Sequence, residues 1–145
     1  MARSSFLDRI QAAAETGWFD TIGHLDLPKR YRPLDHGAYD PLRYEPELIH
    51  AMTAMIGRQI SFEINTSGLR QPPRTSMPGP RVVDLYVRLG GSLITIGSDS
   101  HVPETIGAGF EQTFDMLELC GIDGIGSFRQ RVRTTVPIRS LARSS

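Results

Sequence analysis

The sequence predicts an α/β protein built on a parallel sheet. Three observations carry this expectation. Short apolar runs alternate with stretches of helical period, in the order α-β-α-β-α-β-α-β. The apolar runs end in polar corners rich in Gly, Asn, Ser and Asp. The connections between runs are long enough for helical crossovers, which parallel strands require.

The elements follow in order. Ser5-Phe6-Leu7-Asp8 is a weak capping pattern, Phe6, Ile10, Ala13 and Ala14 form a helical stripe, and Gly17 ends it. Residues 19–23 predict a short strand that runs into Gly23-His24-Leu25-Asp26. Prolines and a glycine mark 28–44 as loop. A second helix is predicted from Glu45-Pro46, with Leu48, Met52, Met55 and Ile56 buried and Gly57 at its end. Residues 60–64 alternate as a strand and lead into Asn65-Thr66-Ser67-Gly68-Leu69-Arg70. A proline-rich loop follows. A helix is then expected from Pro80, with Val82, Val83, Tyr86, Val87 and Leu89 facing the core and Gly90-Gly91 closing it. Residues 93–96 predict a third strand, ending in Ser98-Asp99-Ser100-His101. A helix from Pro103 is predicted to bury Ile106, Phe110, Phe114 and Leu117, with Gly121 as its cap. A last strand is expected over about 127–136, and a frayed tail over 139–145.

The chain has 145 residues, enough for one modest domain, and a formal net charge of zero. Balanced charge gives no electrostatic reason to expect nucleic acid or an anionic membrane as partner. No apolar run approaches the roughly 20 residues of a membrane span. The single cysteine, Cys120, excludes an intrachain disulfide and suits a reducing compartment, so a cytoplasmic protein is expected.

The chemistry is concentrated at three strand ends. They carry His24, Asp26, Lys29 and Arg30; then Asn65, Ser67 and Arg70; then Asp99 and His101. In a parallel β/α arrangement those ends share one rim, where active sites are built. Imidazole and carboxylate suit zinc, manganese or iron, and arginine suits phosphate. Each residue also has a structural alternative. His24 could be a core histidine held by backbone, Asp26 a turn former, and Glu63 an acceptor for a neighbouring N–H. Asn65 and Ser67 are ordinary turn residues, and Arg30 and Arg70 could be plain surface charges. A Ser-His-Asp triad could be drawn from Ser67, His24 and Asp26, but no nucleophile elbow surrounds Ser67.

The motifs Gly23-His24-Leu25-Asp26, Glu63-Ile64-Asn65-Thr66-Ser67-Gly68 and Ser98-Asp99-Ser100-His101, in that order, resemble segments of PHP-family phosphoesterases of the histidinol-phosphatase type. The likeness runs from about Phe6 to Val136. It implies a partial distorted (β/α)7 barrel with about four β/α units present. It implies that His24, Asp99 and His101 are metal ligands, with Asp99 and His101 catalytic, and that Arg30, Ser67 and Arg70 bind substrate. The implied cofactors are divalent zinc, manganese or iron, up to three ions in a complete site. The implied reaction is hydrolysis of L-histidinol phosphate, a small phosphate ester, in histidine biosynthesis.

The departure is the first-strand His-x-His motif of that family, which occurs nowhere in the chain. Residues 1–145 are therefore expected to be the C-terminal portion of a PHP domain, inactive alone. The other half would come from another chain, or the chain would self-associate, or the reading frame is truncated. Two alternatives stand beside this expectation: a non-catalytic binding fragment of the same fold, and a PHP phosphoesterase for another ester.

Overall fold

The computed structural model describes residues 4–28, 40–72 and 74–141. Its element order opens with helix α1 (Ser4–Thr16) and strand β1 (Thr21–Ile22). A 3-10 turn (Pro41–Tyr44) leads into α2 (Glu45–Gly57), then β2 (Ser61–Asn65), the single turn α3 (Ser67–Arg70) and α4 (Pro80–Arg88). After β3 (Ile94–Gly97) and a 3-10 turn (Pro103–Thr105) come α5 (Phe110–Leu119), β4 (Gly124–Arg129), β5 (Val132–Pro137) and α6 (Ile138–Leu141).

Strands β1, β2 and β3 lie side by side in sequence order and all run parallel. Thr21 pairs with Ser61, and Asn65 pairs with Gly97. Period two in β2 sends Phe62 and Ile64 to one face and Ser61, Glu63 and Asn65 to the other. The apolar face belongs to the core, with Met52 and Met55 of α2 and Val82, Val83 and Tyr86 of α4. Phe62 meets Tyr86 edge-on, with centroids 4.3 Å apart. The Tyr86 hydroxyl lies 3.2 Å from both the N–H and the C=O of Leu93, so one side chain ties α4 to the approach of β3. Its burial pushes the hydroxyl above its ordinary pKa. Gly91 is required here, because a Cβ would run into the Tyr86 ring.

The polar face is concave. The hydroxyls of Thr21 and Thr95 lie 3.1 Å apart, although β2 separates their strands. Strands two apart in a flat sheet would be about 9–10 Å from one another.

The last strand departs from expectation. Instead of one strand over 127–136, β4 and β5 form an antiparallel hairpin, so among the described residues the parallel strands number three and the expected fourth is replaced. Its two-residue turn, Gln130-Arg131, has φ of 50° and 66°, the left-handed pair that such turns need. Neither residue favours that conformation, and a distant contact holds it. The Arg131 guanidinium grips both carboxylate oxygens of Asp20 at 2.9 and 3.1 Å and donates to Trp18 O at 3.2 Å. This fork locks the hairpin tip to the amino end of β1.

The helix predicted from Pro103 also begins later. Gly107 and Gly109, with φ of 72° and 83°, break the chain, so α5 starts at Phe110 and Ile106 is 74% exposed. A Cβ on Gly109 would lie 2.6 Å from Leu69 Cδ1. The loop thus packs on the β2–α3 corner, where Thr66 Oγ1 donates to Ala108 O at 2.6 Å. Residues 139–141, expected to fray, complete α6, and Ile138 is buried. Cys120 is half-buried, and burial pushes its thiol up.

Candidate functional site

Parallel pairing sends the carboxyl ends of β1, β2 and β3 to one rim. The chain of contacts across that rim starts at His24, whose φ of 58° turns it out of β1. Asn65, fully buried at the end of β2, places Nδ2 2.6 Å from His24 Nε2. The amide orientation is set from the other side. Ser67 N–H donates to Asn65 Oδ1 at 2.9 Å, and the Ser67 hydroxyl lies 2.6 Å from the same oxygen. Oδ1 is therefore the acceptor atom, the NH2 faces the imidazole, and His24 Nε2 accepts. A neutral His24 then carries its proton on Nδ1. Ser67 Oγ continues to Asp99 Oδ2 at 3.4 Å, a long contact. The Asn65 backbone is itself fixed by a reciprocal pair of bonds with Met77, at 2.8 and 2.9 Å.

The third arm is the corner after β3. Asp99 has φ of 47°. Its carbonyl oxygen lies 3.1 Å from His101 Nδ1. A carbonyl only accepts, so Nδ1 carries the proton and Nε2 of His101 presents a lone pair. Arg70 braces this corner through Nη2 to Ser98 O at 2.8 Å. Arg70 Nη1 is buried and has no hydrogen-bond partner among the described residues.

The structure thus brings His24, Ser67, Arg70, Asp99 and His101 to one rim. Arg30 lies outside the described residues. The Ser67-His24-Asp26 triad does not form, because Asn65 stands between the hydroxyl and the imidazole. Two roles were not evident from sequence. Asn65, expected at the second strand end with no role of its own assigned, links the first two arms. Glu63 lies in a notch between Gly23 and Gly97 on the flanking strands. A Cβ on Gly23 would come within 2.6 Å of Glu63 Oε2, and one on Gly97 would overlap Oε1. The detectable signal was a glycine on each strand beside an inward glutamate.

The donor types suit a divalent metal, but their number does not. Among the described residues no three His, Cys, Asp or Glu side chains converge as a metal site. Structural zinc needs about four donors, and catalytic zinc about three plus water. These residues do not complete a metal site by themselves.

Comparison with known proteins agrees with this partial picture. No protein-family model matches the chain. A probable histidinol-phosphatase of Deinococcus radiodurans is 36% identical over 101 residues, 70% of this chain and 36% of that protein. One of Thermotoga maritima is 32% identical over 124 residues, 82% of this chain and 51% of that protein. The crystal structure of histidinol phosphate phosphatase from Lactococcus lactis, complexed with zinc, L-histidinol and phosphate, superposes with a TM-score of 0.80 at 21% identity. It covers 92% of this chain, which in turn covers 51% of it. The fold and the rim define a β/α protein of the kind that builds its site at strand ends. By sequence the chain is similar to probable histidinol-phosphatases, and it spans about half the length, or less, of the relatives it matches.

Proposed function

We propose that residues 1–145 are the C-terminal portion of a PHP-type histidinol-phosphatase domain, a partial distorted (β/α)7 barrel. The reaction in this reading is hydrolysis of L-histidinol phosphate to L-histidinol and phosphate, in histidine biosynthesis, in the cytoplasm. The supporting observation is the hydrogen-bonded series His24–Asn65–Ser67–Asp99, which joins three strand ends at one rim. Among the described residues no helix is long and apolar enough to cross a membrane.

In this reading the rim residues take the following roles. Arg70 uses one nitrogen to hold the Asp99 corner and offers the other to a phosphoryl oxygen; Arg30 and Ser67 complete the phosphate grip. Asp99 and His101 are the catalytic pair. With His24, whose Nε2 would exchange the Asn65 amide for the metal, they supply part of a ligand set for zinc, manganese or iron, up to three ions, whose remaining donors come from the other half of the barrel. His101 already has the tautomer that ligation through Nε2 needs.

The test is phosphate release from L-histidinol phosphate, beside other phosphomonoesters, by this chain alone and with the other barrel half. The chain alone is expected to release little or none. Preference for a different ester would assign another substrate. The open donor set also supports a second reading, a non-catalytic binding fragment. That reading predicts no tight metal even when the other half is present.

A further inference from the structure

A second cleft lies at the amino ends of the strands, away from the rim that carries His24. Its volume is about 360 Å³. The polar residues that line it come from separate parts of the chain. Asp20 precedes β1, Arg58 caps the end of α2, and Arg131 and Arg133 belong to the β4–β5 hairpin. The five residues of β2, at about 3.3 Å each, put roughly 15 Å between this cleft and the rim. A ligand held here does not reach His24 or Asp99.

The charges in the cleft do not balance. Three guanidinium groups line it beside one carboxylate, and Arg131 occupies both oxygens of that carboxylate, at 2.9 and 3.1 Å. Arg58 and Arg133 have no carboxylate partner among the described residues. Arg133 Nε is buried, and it has no hydrogen-bond partner among those residues either. A buried donor on a charged group is normally paired, because leaving it bare is costly. Gly126 keeps the space for it, since a Cβ there would come within 2.9 Å of Arg133 Nε. Arg58 lies over the end of α1, its Nη1 3.7 Å from where a Cβ on Gly17 would stand. The carbonyl ends of α1 and α2 reach the same place and oppose these cations with about half a charge each. Three arginines against Asp20 leave a formal excess of two positive charges, which outweighs them.

We infer that this cleft binds a small phosphate monoester, with its phosphoryl dianion on Arg58 and Arg133. Guanidinium forks match phosphoryl oxygens in pairs, and a dianion answers the excess charge. The Asp20–Arg131 pair stays closed and forms one wall. Phe19, Leu93 and Phe128 supply an apolar surface for the organic group of the ester. The volume falls within the roughly 300–1,000 Å³ of small-molecule sites, more room than a bare phosphate ion needs. The site is separate from the rim, so the inference stands or falls independently of the reaction proposed there.

The test titrates the 145-residue chain with phenyl phosphate, with EDTA present so that no metal at the rim takes part. At pH 8 the ester is a dianion, since the second pKa of such a phosphate is about 6. The reporters are the backbone amides of Gly17 and Gln59 in 15N NMR spectra. Both should shift saturably. Arg58→Gln and Arg133→Gln should each raise the Kd by at least about tenfold. Arg58 is exposed, so its substitution leaves the core alone; should Arg133→Gln lose the circular dichroism of the unmodified chain, Arg58→Gln decides. Arg70→Gln, at the rim, should leave both amide titrations as they are. Benzenesulfonate, a monoanion of similar shape, should bind at least about tenfold more weakly. No saturable shift at either amide, equally tight binding of benzenesulfonate, or unchanged affinity in Arg58→Gln would each overturn the inference. Inorganic phosphate binding as tightly as phenyl phosphate would overturn the assignment to an ester.

Discussion

Asn65 holds His24 from a neighbouring strand: amide nitrogen and imidazole nitrogen are 2.6 Å apart, and the amide's oxygen is fixed by Ser67. One buried side chain therefore sets the ring's tautomer and joins the β1 and β2 ends of the rim.

Asn65→Asp should reverse that tautomer, because a carboxylate cannot donate to Nε2. The expected outcome is a move of the His24 proton to Nε2, seen in ring 15N chemical shifts. Asn65→Ala should cost about 1–3 kcal/mol, since it leaves the Ser67 N–H and hydroxyl without their acceptor. Urea unfolding measures it.

The Glu63 notch predicts a compensating pair. Gly97→Ala places a methyl where Glu63 Oε1 lies and should destabilise by about 1–3 kcal/mol. Shortening the partner by Glu63→Ala should recover part of that loss. A double-mutant cycle should show coupling of at least about 0.5 kcal/mol; strict additivity would mean that the two positions do not meet.

The Asp20–Arg131 fork predicts an acid limb in stability. The Arg131 guanidinium holds the Asp20 carboxyl below its ordinary value of 3.8, while Arg131 is raised. A carboxylate whose folded pKa is lowered stabilises fully above its unfolded value. That contribution is lost as pH falls through the folded value. Asp20→Asn should therefore lower Tm at neutral pH, and the gap from the unmodified chain should close below pH 3.8. A gap that persists in acid would assign the effect to something other than the ion pair. The pair is exposed, so added salt should also narrow the gap.

Much of this was legible in the sequence because it is local. Leu48, Met52 and Met55 face the core as their helical spacing requires, and Phe62 and Ile64 do so by alternation. The corners after β1, β2 and β3 carry the expected polar residues. What escaped depends on residues far apart in the chain. The hairpin turn at Gln130-Arg131 has no glycine or asparagine, and its conformation is held by Asp20, more than a hundred positions away. The start of α5 is set by Gly109 packing on Leu69, not by Pro103. The linking role of Asn65 and the notch around Glu63 exist only once β1, β2 and β3 are in register.

The central claim is that His24, on one strand end, and Asp99, on another, serve a single phosphate-hydrolysing site that this chain shares with a second barrel half. Phosphate release from L-histidinol phosphate by the zinc-loaded assembly tests it most directly, with the unmodified chain, His24→Ala and Asp99→Ala compared side by side. The account predicts turnover by the unmodified assembly, a loss of at least about 100-fold for either substitution, and almost none for the chain alone. Robust turnover by the chain alone, or an assembly indifferent to both substitutions, would contradict it.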